Sequence, residues 1–434
     1  MKLLSTLVLL GCATLHAELT VFTNGRIVTV DEAFSITDAM AVDGQRIVAL
    51  GEKAKALAAA QPSATHVDLR GQMVLPGLMD SHAHPVGAAT FEFDHEVPTI
   101  DDIPQLLDYI AQRAKAQPEG TQITVRQVFI TRLKEQRYPT RAELDGVAPK
   151  HPLVFSTGPD AMLNTLALQL AGINRNYKVD EGSPGLVERD ADGEPTGLLR
   201  SISPKINAKS PAKSRSAEQT LDLVRKLFAD YNSVGFTTIA DRGASSDGIE
   251  LYQHLRDSKA LTVRLRLSHT FPTGGQWRTT ETALDAIIQH PLRQPDPMLQ
   301  IVGTKVWLDG GMLTGSALMQ EPWGVSTMYG ITDPQYRGVQ KIEREALTKM
   351  VRKVAGAGLQ FTAHSVGDGA VALLLDVYEE VAKDTPIRET RPSITHCNFM
   401  APESIAKAAQ LGAVIDLQPI WFHLDGRTLA AQFG

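Results

Sequence analysis

His82 and His84 stand two residues apart at the end of the apolar run VLPGLMDSHAH, Val74 to His84. Successive side chains of a strand point to opposite faces, so these two share one. Two imidazoles on one rigid strand end can reach a single metal ion with little loss of freedom. Alone, an H-x-H pair is a weak signal, because two histidines also sit side by side on ordinary surfaces. Here it follows an apolar run containing Pro76-Gly77, and Asp80 falls on the same face by spacing. Two more histidines end β-like runs: His364 closes LQFTAH and His396 closes PSITH. Taken singly, each reads as a hydrogen-bonded structural histidine. Three runs that all finish in histidine read as one site.

Lys305 interrupts the apolar run IVGTKVWLDGG. A buried ammonium is costly and repels a cation. Two readings are even. Deprotonation and reaction with carbon dioxide would give an anionic carbamate able to bridge two metals. Alternatively, the lysine sits at a strand edge and its head reaches solvent.

The elements that would position these groups follow a strand–helix rhythm. Candidate strands are Ile123 to Ile130, Leu153 to Ser156, Phe236 to Asp241, Val263 to His269, Ile301 to Leu308, Leu359 to His364, Ser393 to His396 and Ala413 to Gln418. Amphipathic helices lie between them, with Leu221, Val224, Phe228 and Tyr231 on one face, and Leu347, Met350 and Val354 on another. This alternation predicts an α/β fold, a (β/α) barrel whose strand ends carry the site. Before it, residues 18–75 read as a small antiparallel β-domain with turns at Asn24-Gly25, Asp43-Gly44 and around Gly71. Residues 76–434 form the barrel part. An insertion over about 158–211, with a hairpin on Asp192-Gly193, either covers the barrel mouth or is a surface excursion.

Hydrophobic residues make up 43% and charged residues 21% of the 434-residue chain, an ordinary globular composition with room for more than one domain. The net charge of −6, without a Lys/Arg tract, gives no reason to expect a nucleic-acid partner. Residues 1–17, MKLLSTLVLLGCATLHA, have the grammar of a signal peptide, and the apolar run is too short for a permanent transmembrane helix. Cleavage after Ala17 would release an exported, periplasmic or secreted protein. Leu9-Leu10-Gly11-Cys12 also resembles a lipobox, which would anchor a lipoprotein at Cys12. The short stretch before Cys12 and the poor fit of Leu10 favour simple export. Cys12 and Cys397 are the only cysteines, so removal of the leader excludes an intrachain disulfide.

These residues carry a resemblance. LTVFTNGRIVTVDEAF, VDGQRIVALG and DLRGQMVLPGLMDSHAH resemble the opening of the metal-dependent amidohydrolase superfamily. GTKVWLDGGMLTGSA, FTAHSVGDGAV and ITHCNFMAPESIAKAAQLGAVIDLQP resemble its amidohydrolase-3, YtcJ-like branch. Cyclic amidohydrolases such as dihydroorotase or imidazolonepropionase share H-x-H, but the lysine and second histidine contexts fit them less well. The resemblance implies a (β/α)8 barrel flanked by a β-sandwich, with one or two divalent ions, zinc being the expected one. It implies that His82 and His84 bind the first ion and that a carboxylated Lys305 bridges. His364 and His396 would bind a second ion or polarise the substrate. The substrate would be a small amide, N-acyl or N-formyl compound, attacked at its carbonyl by activated water. Asp309 would help shape the site, and His396 and Lys305 would be its catalytic members.

The sequence departs from that pattern in two places. The resemblance implies an aspartate ending an eighth strand, followed by strands that return to the sandwich, and neither is found before Gly434. Asp425 in WFHLDG is a poor substitute for that aspartate. The barrel is therefore expected to be incomplete, and the alternative reading is an inactive fragment or a binding protein on the same scaffold. Where relatives carry a GH…NS-like stretch, this chain has STGPDAMLNTLAL, so Asp160 is a candidate substrate contact of a different kind.

Overall fold

A computed structural model describes residues 19–180, 183–209 and 215–433. The leader reading and Cys12 lie outside the described residues. The chain divides into two compact units, one ending at Leu78 and one starting at Met79.

The first unit holds two small sheets and the helix Glu52–Ala60. In one sheet, Leu19–Thr23 pairs antiparallel with Met40–Asp43 and parallel with Thr65–Asp68, and Arg46–Leu50 completes the Asp43-Gly44 hairpin. In the other, Arg26–Val28 lies between Ile36–Thr37 and Met73–Val74. The Asn24-Gly25 and Gly71 turns are not hairpins, because the strands on either side of each belong to different sheets. The reason for the glycine is packing: a Cβ on Gly25 would come within 2.4 Å of the Leu69 side chain. The expected antiparallel domain is a mixed one, with parallel pairs joined through the helix and the longer loops.

The second unit is built on a seven-stranded parallel sheet curled into a nearly closed barrel. Its order is Leu78–Ala83, Phe236–Ala244, Arg264–Thr270, Leu299–Trp307, Gln360–Ser365, Ser393–His396 and Val414–Asp416. Helices fill the crossovers, and the predicted apolar faces are the buried ones. Val224 and Phe228 are buried on the helix Ala217–Ser233, which starts in a capping box between Ser216 and Gln219. Leu347, Met350 and Val354 are buried on Arg344–Gly356. These faces and the strands share one apolar core, from Val263 and Leu265 to Phe361, Leu374 and Tyr378.

Two strands that the sequence assigns to the barrel belong elsewhere. Ile123–Val125 and Leu153–Ser156 join a separate five-stranded sheet with Asp160–Leu163, Leu186–Arg189 and Pro195–Arg200. The sheet of the insertion thus starts well before residue 158. The two strands pair parallel with the helix Arg141–Val147 between them, the same local grammar as a barrel crossover. Periodicity reports that a short run is buried, not which sheet it enters. The Asp192-Gly193 hairpin forms as expected, with Gly193 at φ 81°. Among the described residues the barrel has no eighth strand, and the chain continues from Val414–Asp416 into the helix Pro419–Phe433. Asp425, fully buried on that helix, accepts hydrogen bonds from Thr131 and Arg132, so it anchors the helix.

Candidate active site

Parallel strands bring their C-terminal ends to one mouth, and six of the seven strands contribute polar groups there. The first strand contributes His82 near its end, with His84 just beyond it at the start of the helix Pro85–Ala89. The fourth carries Lys305, the fifth His364 and the sixth His396. The imidazoles form a chain. Ring centres lie 5.2 Å apart for His82 and His84, 4.9 Å for His82 and His396, and 4.5 Å for His364 and His396. The four predicted histidines are therefore brought together. Asp80 is not: its carboxylate accepts the Tyr231 hydroxyl at 2.9 Å and the backbone N–H of His82.

Two of the histidines give a ring N–H to a fixed acceptor. His364 Nε2 donates to Gly310 O at 2.7 Å, and His396 Nδ1 donates to Gln418 Oε1 at 2.6 Å. His82 Nδ1 lies 3.4 Å from Asp416 Oδ2 and 3.2 Å from Gln418 Nε2. His84 Nδ1 lies 3.7 Å from Asp241 Oδ1, and its ring rests on Gly243, where a Cβ would come within 2.8 Å of it. Burial makes the charged imidazolium unfavourable. It pushes His396 down to about 3, His364 well below the ordinary histidine range, and His82 down as well. His396 also sits at φ 85° and Cys397 at φ 49°, left-handed conformations that cost about 1–3 kcal/mol each in a non-glycine residue. The Cys397 N–H, donating to Ser365 O at 3.0 Å, holds that corner against the fifth strand.

Lys305 does not reach solvent. It is 1% exposed, and its Nζ donates to Thr395 Oγ1 at 3.0 Å. Burial, with the nearby Arg242 charge, pushes its ammonium down to about 7. A large fraction is thus neutral near neutral pH, as a nucleophilic or ligating amine requires.

Three residues at the mouth went unrecognised in the sequence. Asp416 ends the seventh strand, where its Oδ1 accepts the Ser81 hydroxyl at 2.7 Å and its Oδ2 faces Arg242 Nε at 3.7 Å. Although desolvation raises it, the His82 ring beside it and the Ser81 hydroxyl keep Asp416 below the usual carboxylate range. Asp241, on the second strand, accepts from the Tyr252 hydroxyl at 2.9 Å and lies 3.7 Å from His84 Nδ1. Gln418 links His396 to His82. An acid or amide ending a short apolar run reads as an ordinary turn residue, so only the shared strand-end position could have flagged them.

Asp309 lies directly behind the histidines, and Asp160 stands apart from them in the other sheet. Asp309 is fully buried and accepts backbone N–H bonds from Leu318, Val366 and Gly367 at 2.9–3.2 Å, while burial lifts it to about 7. It lies 3.6 Å from His364 Nε2 and ties the loops after the fourth and fifth strands together, so it shapes the site from behind. Asp160 lies in the five-stranded sheet, accepting Ser201 N–H at 3.0 Å with Arg200 at 3.8 Å. Both are almost inaccessible, which leaves neither open to a substrate as the structure stands.

The donor chemistry suits a divalent cation. Neutral imidazoles whose second nitrogen is held by a carbonyl, amide or carboxylate are the usual form of a ligating histidine. Two imidazoles sharing one ion at about 2.1 Å have ring centres roughly 5 Å apart, as these neighbouring pairs do. Among the described residues, however, no three His, Cys, Asp or Glu side chains converge tightly enough to enclose an ion. The site offers ligand pairs, with Lys305 the additional donor.

The chain thus gathers titratable groups at the face where parallel-barrel enzymes carry their active sites. It belongs to the amidohydrolase family, whose amidohydrolase-3 model matches residues 65–433; members of this class act on carbon–nitrogen bonds other than peptide bonds. The chain is similar to the protein LONG AFTER FAR-RED 3 of Arabidopsis thaliana, at 26% identity over 95% of this chain and 70% of that protein. It is equally similar, at 26%, to the N-substituted formamide deformylase of Arthrobacter pascens, over 83% of this chain and 66% of that protein. In fold it resembles a metal-dependent hydrolase from Pyrococcus furiosus, with TM-score 0.60 and 18% identity over 94% of this chain and 78% of that one.

Proposed function

We propose that this chain hydrolyses the carbon–nitrogen bond of a small amide, N-acyl or N-formyl compound, with one or two divalent ions, zinc first among them, at the strand ends. The observation that carries the reading is the chain of imidazoles from His84 through His82 and His396 to His364, in which His364 and His396 each have one nitrogen anchored and the other left to bind. Bound there, such an ion supplies Lewis acidity and a nucleophile at neutral pH. His396, with Nδ1–H given to Gln418, presents a lone pair at Nε2 and suits ligation better than donation to a carbonyl. Asp416 and Gln418 fix the orientation of His82, and Asp241 that of His84. Neutral Lys305 is free to ligate directly or, as its carbamate, to bridge. Asp309 sets the position of His364. The formamide deformylase relative supports an N-formyl or N-acyl substrate, and the grammar of residues 1–17 supports export, with Cys12 as the alternative lipid anchor. No helix among the described residues is long and apolar enough to cross a membrane.

The test is metal content and amide turnover of the purified protein beside the double variant His82→Gln/His84→Gln. Bound divalent metal that falls in the variant, together with lost hydrolysis, is expected. Protein that binds no metal and is unchanged by the double substitution refutes the reading. The second reading, a binding protein on the same scaffold, is favoured by the absence of a three-ligand set among the described residues. It predicts small-molecule binding without turnover.

A further inference from the structure

We infer that the cavity beside His396 receives an uncharged, flat apolar substituent, so that the substrates are amides bearing an aromatic or similarly bulky hydrocarbon group; this rests on the hydrolase reading above. The cavity measures about 610 Å³, within the range of small-molecule sites, and its two ends differ in chemistry. His396, Gln418 and Asn398 form a polar end. Met312, Phe399, Leu417, Trp421, Leu429 and Phe433 form the apolar remainder. No Asp, Glu, Lys or Arg among the described residues lines it.

The aromatic walls are already arranged for a ring. Trp421 lies over His396 with ring centres 4.9 Å apart and planes tilted by 33°, and Phe399 meets Phe433 edge-on at 5.2 Å. An inserted ring meets offset or edge-on partners of the kind aromatic side chains prefer. At the polar end, Asn398 Oδ1 is buried without a hydrogen-bond partner. The amide thus lies toward the histidines and its substituent toward Trp421. A charged substituent would be stripped of water with no counter-charge in the lining, which disfavours it.

The test has a binding arm and a turnover arm, both on the full chain. Binding of N-phenylacetamide, N-methylacetamide and 4-acetamidobenzoate to chelator-treated protein is measured by saturation-transfer NMR titration. The inference expects the phenyl compound to bind at least tenfold tighter than either of the others. It expects Trp421→Ala and Leu429→Arg each to remove that preference. Equal binding of the three, or tighter binding of the carboxylate, overturns it, and the unsubstituted protein alone decides this if a variant fails to fold. In turnover, the metal-loaded protein is expected to show the same preference mainly in KM. A binding preference without hydrolysis leaves the cavity assignment standing and defeats the hydrolase reading. Hydrolysis without any preference among the three does the reverse.

Discussion

Replacing Asp416 with alanine tests the barrel and its mouth at once. Asp416 is 4% exposed and sits where the first and seventh strands face one another. Its Oδ1 takes the Ser81 hydroxyl at 2.7 Å, a hydrogen bond to a charged group worth about 1.5–3 kcal/mol. It is also the carboxylate that faces Arg242, itself 8% exposed. Removing one partner of a buried pair leaves an uncompensated charge, and such losses run to about 3–5 kcal/mol. Arg242 keeps bonds to Ser81 O at 3.0 Å and Gln360 Oε1 at 2.7 Å, so the lower end of that range is expected. Asp416→Asn, which preserves size and an acceptor, should lose about half as much. Because the folded carboxyl lies below its unfolded value, its contribution is complete above the unfolded pKa of about 3.9 and vanishes as pH falls through the folded one. Urea unfolding of chelator-treated protein, followed by tryptophan fluorescence, measures this at pH 7 and at pH 3. Wild type should exceed Asp416→Ala by about 3 kcal/mol at pH 7, with the gap closing toward pH 3. A difference under about 1 kcal/mol at pH 7, or a gap at pH 3 no smaller than that at pH 7, would refute the reasoning.

Three further outcomes are expected. Lys305→Met should stabilise the metal-free protein near and below pH 7, by at most about 5 kcal/mol. The gain should shrink as pH rises from about 7 toward 10.5, because over that interval the unfolded lysine holds a proton the buried one has lost; unfolding across that pH range checks it. The buried histidines should make wild type lose stability as pH falls below about 6.5, where the unfolded imidazoles take up protons that His364 and His396 refuse. His364→Gln should flatten that acid limb, and an unchanged slope counts against its neutral burial. Gln418→Leu removes the anchor shared by His396 and His82, and a loss of about 10–100-fold in divalent-metal affinity by competition titration is expected.

The parts of the site that the sequence discloses are those where a polar residue breaks an apolar run. His82, His84, Lys305, His364 and His396 stand out for that reason; strand register carries Lys305, His364 and His396 to one end of the barrel, and ring contacts join His82 and His84 to them. Asp241, Asp416 and Gln418 did not stand out, because acids and amides beside a turn are commonplace. Their importance comes from neighbours 11 to 336 residues away in the chain. Asp309 was noticed for its nearness to Lys305, but three backbone N–H groups claim its oxygens, a fact no spacing encodes. At the level of fold, strand–helix alternation was legible along most of the second unit. Membership was not: Ile123–Val125 and Leu153–Ser156 have the same burial and parallel pairing as barrel strands and lie in another sheet. Asn24-Gly25 has hairpin residues, yet Leu69 rather than a turn fixes its glycine.

The edge between the first and seventh strands is joined by side chains: Ser81 to Asp416, and His82 to Asp416 and Gln418. Every other neighbouring pair in the sheet is knitted through the main chain. Main-chain amides along this one line should therefore exchange with solvent sooner than their counterparts elsewhere in the barrel. The same line runs through the imidazole pair His82 and His396, whose rings come from opposite sides of it. An ion shared by that pair would act as a rivet. Occupancy would slow the opening of the whole cylinder, and anything that springs the cylinder would loosen the ion by an equal free energy.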